Sequence, residues 1–217
     1  MTLFDCRTAA DRDRGIQAAI EAVQRGDLVV LPTDTVYGLG ADAFKPYAVQ
    51  SLLNAKGRTR QMPPPVLVGS RHTLDGLVYG LPPAARDLVE AFWPGALTIV
   101  VEHSPTLQWD LGDMHGTVAV RMPLHPVALE VLRATGPMAV SSANKTGVAA
   151  AATAEEARGQ LGYAVSVYLE AGECPDPVPS TIVDVTSGTP VLLRAGAIPI
   201  EKLRDVVPDL TVAEAGE

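Results

Sequence analysis

Lys56-Gly-Arg58-Thr-Arg60 sets three cations within five residues of a chain whose formal net charge is −8. Arg121 and Arg194 lie in stretches rich in aliphatic residues, where an arginine needs a carboxylate partner, a ligand carboxylate or a phosphate. Thr35, Ser142, Asn144 and Ser180 add hydroxyl and amide groups beside expected strand ends. Cations interleaved with neutral hydrogen-bonding groups suit a polyanion bound with a small polar partner. Each member also has a plainer reading: a solvated basic loop for the cluster at 56–60, and an internal ion pair for Arg121. The familiar catalytic signatures (a GxxxxGK[ST] phosphate loop, GxGxxG after a strand, HExxH, a GxSxG elbow) are absent. His72, His103, His115 and His125 show no ligand spacing and receive no role.

These groups need a scaffold. Leu28 to Leu31 is a continuous apolar run entering Pro32, a hydroxyl-rich turn and two glycines, which reads as a buried strand delivering Thr33, Asp34, Thr35 and Tyr37, or as an ordinary strand exit made of turn formers. Met138-Ala-Val140 repeats the arrangement and delivers Ser141, Ser142, Asn144 and Thr146. Asp34 is expected to cap local backbone, with contact to a metal as the alternative. Further strands are expected at 66–69, 96–102, 117–123, 164–170, 180–185 and 190–196. Ile16, Ala19, Ile20 and Val23 recur at helical spacing before Gly26, and further helices are expected from Pro46 to just before Lys56, at 73–79, at 83–92, from Pro126 to Gly136, from the capping box at Thr153 to about Gly162, and near 201–206. Three consecutive prolines, Pro63 to Pro65, stiffen the loop behind the cationic cluster, so Lys56 and Arg58 are expected to serve a site and not the core. This loop and the proline-rich stretch Cys174 to Pro179 are candidate lids.

At 217 residues and 47% hydrophobic content the chain can bury a sizeable core. No linker or repeat is visible, so one domain over 1–217 is expected, with a core of about 12–206 and an acidic tail at 207–217. The longest apolar runs, such as Ala96 to Val101, fall short of the roughly 20 residues of a membrane span. The first thirty residues lack the apolar core of a signal peptide, so a cytoplasmic location is expected and the sequon at Asn144 to Thr146 carries no meaning. Cys6 and Cys174 have no metal-ligand or disulfide pattern. Only four lysines and an acidic balance argue against broad phosphate-backbone binding, so direct nucleic-acid contact is expected to be weak or absent.

Pro32-Thr-Asp-Thr-Val-Tyr-Gly-Leu39, Lys56-x-Arg58, Trp93-Pro-Gly-Ala-Leu-Thr98, Val120-Arg-Met-Pro123, Ser141-Ser-Ala-Asn144 with Gly147, and Ser180-Thr-Ile-Val-Asp184 followed by Leu193-Arg194-x-Gly196 resemble, in this order, the YrdC family. The resemblance covers about residues 12 to 200. Thr59 after Arg58 and the Pro64-Pro65 pair depart from the family's usual Lys-x-Arg-Pro loop. The resemblance implies an α/β fold, an open, twisted mixed sheet flanked by helices. It implies an L-threonylcarbamoyladenylate synthase that joins L-threonine, bicarbonate or CO2 and ATP, with Mg²⁺ accompanying the nucleotide, for threonylcarbamoyladenosine in tRNA. It assigns Lys56, Arg58, Ser142, Asn144 and Arg194 to ATP, with Lys56 and Arg58 as the catalytic cations, and Thr35, Arg121 and Ser180 to L-threonine, and it implies handover of the product to the tRNA threonylcarbamoyl transferase complex. Two other readings stay open: a module for structured RNA, and carbamoyl-adenylate chemistry on another acceptor. Longer relatives carry a second domain, which is not expected in this chain.

Overall fold

A computed structural model describes residues 1–174 and 177–213. Its strands are β1 (Thr2–Asp5), β2 (Val29–Leu31), β3 (Gly38–Asp42), β4 (Val66–Leu67), β5 (Leu97–Glu102), β6 (Thr117–Arg121), β7 (Met138–Ser142), β8 (Val167–Glu170), β9 (Thr181–Asp184), β10 (Val191–Arg194) and β11 (Thr211–Val212). The helices are α1 (Ala9–Arg25), α2 (Pro46–Lys56), α3 (Arg71–Leu77), α4 (Pro83–Phe92), α5 (Pro126–Thr135), α6 (Ala154–Leu161) and α7 (Ile200–Arg204). Together the strands form one mixed sheet in the order β1-β8-β2-β3-β7-β4-β6-β5-β9-β10-β11. No described helix is long and apolar enough to cross a membrane.

The helix boundaries follow local chemistry. Thr8 accepts from the Asp11 amide to start α1, and Gly26 takes the left-handed conformation that ends it (φ 88°). Thr153 accepts from the Glu156 amide at the start of α6, while the Glu156 carboxylate reaches back to the Ala152 amide. Pro46 and Gly57 bracket α2, and Lys56 is its last residue instead of the first residue beyond it.

Three apolar clusters cover the sheet. One half is sandwiched: α1 and α5 pack through Ala19, Val23, Val131 and Leu132 onto Val29, Leu31, Val167 and Leu169. The alternate residues Val30, Leu39 and Tyr168 meet α2 and α6. In the other half, Val66, Val120, Ile99 and Val183 pack against α3, α4 and α7. Their strand neighbours Leu67, Ala119, Arg121, Thr98 and Ile182 line a cavity, as the two-residue side-chain period of a strand requires.

Three strands were not expected. β3 carries Gly38 and Gly40, poor strand formers; β7 demands them, because a Cβ at these positions would come within 2.6 Å of Val140 and 2.7 Å of Met138. β1 pairs in parallel with β8, far away in sequence, and β11 pairs with β10. The ordered core therefore extends past 12–206 at both ends. Val207 and Leu210 lie in the large apolar cluster, so the expected tail begins too early; its last residues, 214–217, and Pro175 and Asp176 of one candidate lid lie outside the described residues.

Candidate functional site

The cavity has a volume of about 480 Å³ and opens on the face of the sheet left without helices. Its walls meet through pairings between distant segments. β3 runs antiparallel to β7 with Gly38 opposite Ser142, and the Ala143 amide donates to the Tyr37 carbonyl at 2.7 Å. The two polar strand ends thus lie side by side. β4 inserts between β7 and β6 with Leu67 opposite Arg121. Beyond β6, β5 brings Thr98 next to Ile182 of β9, and Arg194 on β10 closes the far wall. The loop from Gly57 to Pro65 contributes Arg58, Met62, Pro63 and Pro65.

Arg121 is held from three directions. Its Nε donates to the Gly95 carbonyl at 2.9 Å, one terminal nitrogen to Thr35 Oγ1 at 2.8 Å and the other to Asp34 Oδ1 at 2.7 Å. The same Asp34 oxygen accepts from the Leu124 amide at 2.8 Å. Asp34 is therefore an ion-pair partner bridging two loops, and the expected local cap is not its main engagement; Thr33 supplies that cap by accepting from the Thr35 amide at 3.1 Å. The internal ion pair foreseen for Arg121 is present, and the three bonds leave two of its five N–H groups.

Arg194 and Ser180 form a second unit. Arg194 donates through Nε and Nη2 to the Ser180 carbonyl at 3.1 and 2.7 Å, and Nη2 also reaches Ser180 Oγ at 3.1 Å. Thr98 Oγ1 lies 2.8 Å from Ser180 Oγ. Arg58 is the least engaged: Nη1 donates to Ser141 Oγ at 3.2 Å, and its buried Nε has no partner. Burial pushes the pKa of Arg58 down; burial and then the nearby Arg58 charge do the same to Arg194. Three arginines and no carboxylate line the cavity among the described residues. This excess of positive charge makes an anionic occupant electrostatically favourable.

Lys56 and Asn144 sit one layer behind the wall. Lys56 is only 1% exposed, and its Nζ donates to the Ser142 carbonyl, to the Asn144 carbonyl at 2.8 Å and to Asn144 Oδ1 at 3.3 Å, with Ser142 Oγ 3.4 Å away. Asn144 Nδ2 donates to the Lys145 and Val148 carbonyls at 3.0 and 2.7 Å, and the Thr146 amide donates to the Lys56 carbonyl. The residues that the resemblance assigns to ATP thus divide: Arg58, Ser142 and Arg194 line the cavity, while Lys56 and Asn144 fasten the 142–148 loop to the end of α2. Lys56 belongs to the core, contrary to the expectation from its place beside a stiff loop, because its stem follows α2 into the sheet before the ammonium meets backbone carbonyls.

Burial, and secondarily Arg58, push the Lys56 pKa down from 10.5 to about 8. Between about pH 8 and 10.5 the unfolded chain therefore binds this proton and the native state does not, so stability from this group rises with pH in that window and is lost as pH falls through about 8. We expect the stability difference between the native protein and Lys56→Met to widen from pH 7 to pH 10 in urea unfolding; a constant difference would mean that Lys56 keeps an ordinary lysine pKa.

Tyr37 borders the cavity, but its side chain is fully buried in the cluster with α2 and α6, where the hydroxyl donates within the pair formed by the Gly172 carbonyl (2.6 Å) and Glu170 Oε1 (3.0 Å). Thr98 and Gly95 were not singled out in the sequence. The signal was present in the motif Trp93 to Thr98, whose glycine carbonyl orients Arg121 and whose threonine supports Ser180. No group of three or more His, Cys, Asp or Glu able to hold a metal is found among the described residues, and Cys6 and Cys174 are free, buried thiols.

The Sua5/yciO/yrdC family model, described as telomere recombination, matches residues 21–196. A Mycobacterium tuberculosis H37Rv protein, named provisionally as a threonylcarbamoyl-AMP synthase, is 58% identical over 204 residues, covering 94% of each chain. The threonylcarbamoyl-AMP synthase of Pyrococcus abyssi is 35% identical across 92% of this chain and 59% of its own length. The crystal structure of P. abyssi Sua5 complexed with L-threonine superimposes with a TM-score of 0.92 at 33% identity, covering 98% of this chain and 63% of that one.

Proposed function

Because this chain belongs to the Sua5/YciO/YrdC family, we infer that its arginine-lined cavity is where an amino acid and a nucleotide are joined. The protein is an L-threonylcarbamoyladenylate synthase, a nucleotidyltransferase that uses L-threonine and ATP. The observation that carries the reading is three guanidinium groups around one cavity, of which Arg121 alone is balanced by a carboxylate, Asp34, so that Arg58 and Arg194 leave a surplus of positive charge. A triphosphate and a carboxylate together supply the matching charge.

In the proposed reaction the neutral L-threonine amine forms an N–C bond to CO2 and gives up a proton to solvent, or forms that bond to bicarbonate with loss of water, to give an N-carboxylate. One of its oxygens attacks the α-phosphorus of ATP; the P–O bond to the β-phosphate breaks, and pyrophosphate leaves with the electron pair. Such a transfer asks the protein for position and charge and for no covalent partner, which fits a site without a nucleophilic dyad. Arg58, Ser142 and Arg194 are proposed to hold the phosphates. Lys56 and Asn144 are proposed to support them from behind, Lys56 also lending its charge through Ser142. Thr35, Ser180 and the two free N–H groups of Arg121 are proposed to meet L-threonine.

The cavity offers no carboxylate set for Mg²⁺, and Asp34 is occupied by Arg121 and the Leu124 amide. Mg²⁺ is therefore proposed to enter with ATP, ligated by phosphate oxygens. Use of the product in tRNA modification, and its handover to a transferase complex, belong to the same proposal. Against an RNA-binding module, the arginines face inward around a cavity instead of spreading over a surface.

Pyrophosphate release from MgATP, measured with and without L-threonine and bicarbonate and with L-serine as competitor, tests the reading. Release that requires both L-threonine and bicarbonate is expected. Release driven equally by another amine would move the chemistry to a different acceptor.

A further inference from the structure

We infer that Asp110 is a positioning residue for Arg58, acting through a clasp between Arg60 and the 104–115 loop; the inference rests on the reading that Arg58 meets the nucleotide. Arg58 needs such a device. It sits half-buried with one 3.2 Å hydrogen bond and an unpartnered Nε, and Arg194 repels it. The Arg58 amide is tied to the Leu53 carbonyl at 2.9 Å, and the stretch between that bond and the stiff Pro63–Pro65 run needs a hold outside the cavity.

That hold lies two residues downstream. Arg60 makes a two-pronged contact with Asp110, Nη1 to Oδ2 at 3.1 Å and Nη2 to Oδ1 at 2.7 Å, with Asp113 Oδ1 3.8 Å from Nε. The backbones meet as well, since the Asp113 amide donates to the Arg60 carbonyl at 2.9 Å. Gly112 makes this approach possible: at φ 115° it avoids left-handed strain, and a Cβ there would stand 2.6 Å from the Arg60 carbonyl oxygen. Asp110 Oδ1 also accepts from the Gly112 amide at 3.1 Å, fixing the carboxylate toward Arg60. The 104–115 loop is a firm base, because Leu111 and Trp109 are buried in the large apolar cluster and Trp109 stacks on Phe44. A paired, planar fork gives direction as well as attraction, which a single exposed charge does not. Both partners are nearly half exposed, so salt weakens the clasp.

The test uses the full-length enzyme with Asp110→Asn, Gly112→Ala, and the charge exchange Arg60→Asp with Asp110→Arg. In Asp110→Asn the KM for ATP is expected to rise about three- to fivefold, the range of an exposed paired charge. The kcat should stay within about twofold, and the KM for L-threonine and the Tm should not move. Gly112→Ala should raise the KM for ATP further, and the charge exchange should restore part of it. Trypsin cleavage after Arg58 gives a readout independent of turnover: it should be faster in Asp110→Asn and slowed again by MgATP. In Asp110→Asn, equal rises in both KM values, or a lowered Tm, would reduce Asp110 to a general structural role. Faster cleavage with an unchanged KM for ATP, or unchanged cleavage, would also overturn the inference. A native enzyme that cleaves no ATP would instead overturn the proposed function, with the cleavage rates still deciding whether the clasp holds the loop.

Discussion

Arg58→Ala is expected to lower kcat/KM for ATP by about 10²- to 10³-fold, the usual loss when one preorganised charge is taken from a transferring group. The same variant is expected to keep or slightly raise the Tm. Arg58 makes one 3.2 Å hydrogen bond, to Ser141 Oγ, leaves a buried Nε without a partner, and stands near a second arginine. Removing it relieves desolvation and like-charge repulsion while giving up little packing. Arg58→Lys should recover only part of the activity, since an ammonium keeps the charge but loses the planar fork. Steady-state kinetics beside thermal denaturation measure both effects; near-native turnover of Arg58→Ala would remove Arg58 from the proposed phosphate site.

Lys56→Met should behave in the opposite way with respect to stability. The substitution fills nearly the same volume but strips the donor from the Ser142 carbonyl, the Asn144 carbonyl and Asn144 Oδ1, all in a buried setting. Buried acceptors left without a donor cost about 1–3 kcal/mol each, less where the loop can relax, so a loss of roughly 2–4 kcal/mol is expected. In a chain of this length that corresponds to a Tm lower by on the order of 10 °C. Turnover should fall with it, because the 142–148 loop presents Ser142 to the cavity. An unchanged Tm with lost activity would return Lys56 to a purely catalytic place. Two cations separated by one residue thus carry opposite expectations, and the difference comes from which way each side chain leaves the end of α2.

Much of the fold was legible because its signals are local. The helical spacing of Ile16, Ala19 and Val23, the capping residues Thr8 and Thr153, and the prolines at the starts of α2, α4 and α5 act within a few residues of themselves. The fully buried strands read as apolar runs. β3 was hidden because its glycines answer to side chains on β7, about a hundred residues away, and β1 and β11 were hidden because parallel edge pairing is decided by the partner strand.

The chain's own sequence determined which groups are available: Lys56, Arg58, Arg121 and Arg194 among hydroxyls at strand ends, in an otherwise acidic protein. Residue type fixes charge and hydrogen-bonding capacity before any folding. Only the tertiary structure decided how those capacities are used. The ion pair of Arg121 with Asp34, the withdrawal of Lys56 and Asn144 behind the wall, the support of Ser180 by Thr98 and the clasp of Arg60 on Asp110 all join residues from different elements. A charge on a flexible stem has several partners within reach, and the register of the sheet and the burial it imposes select among them.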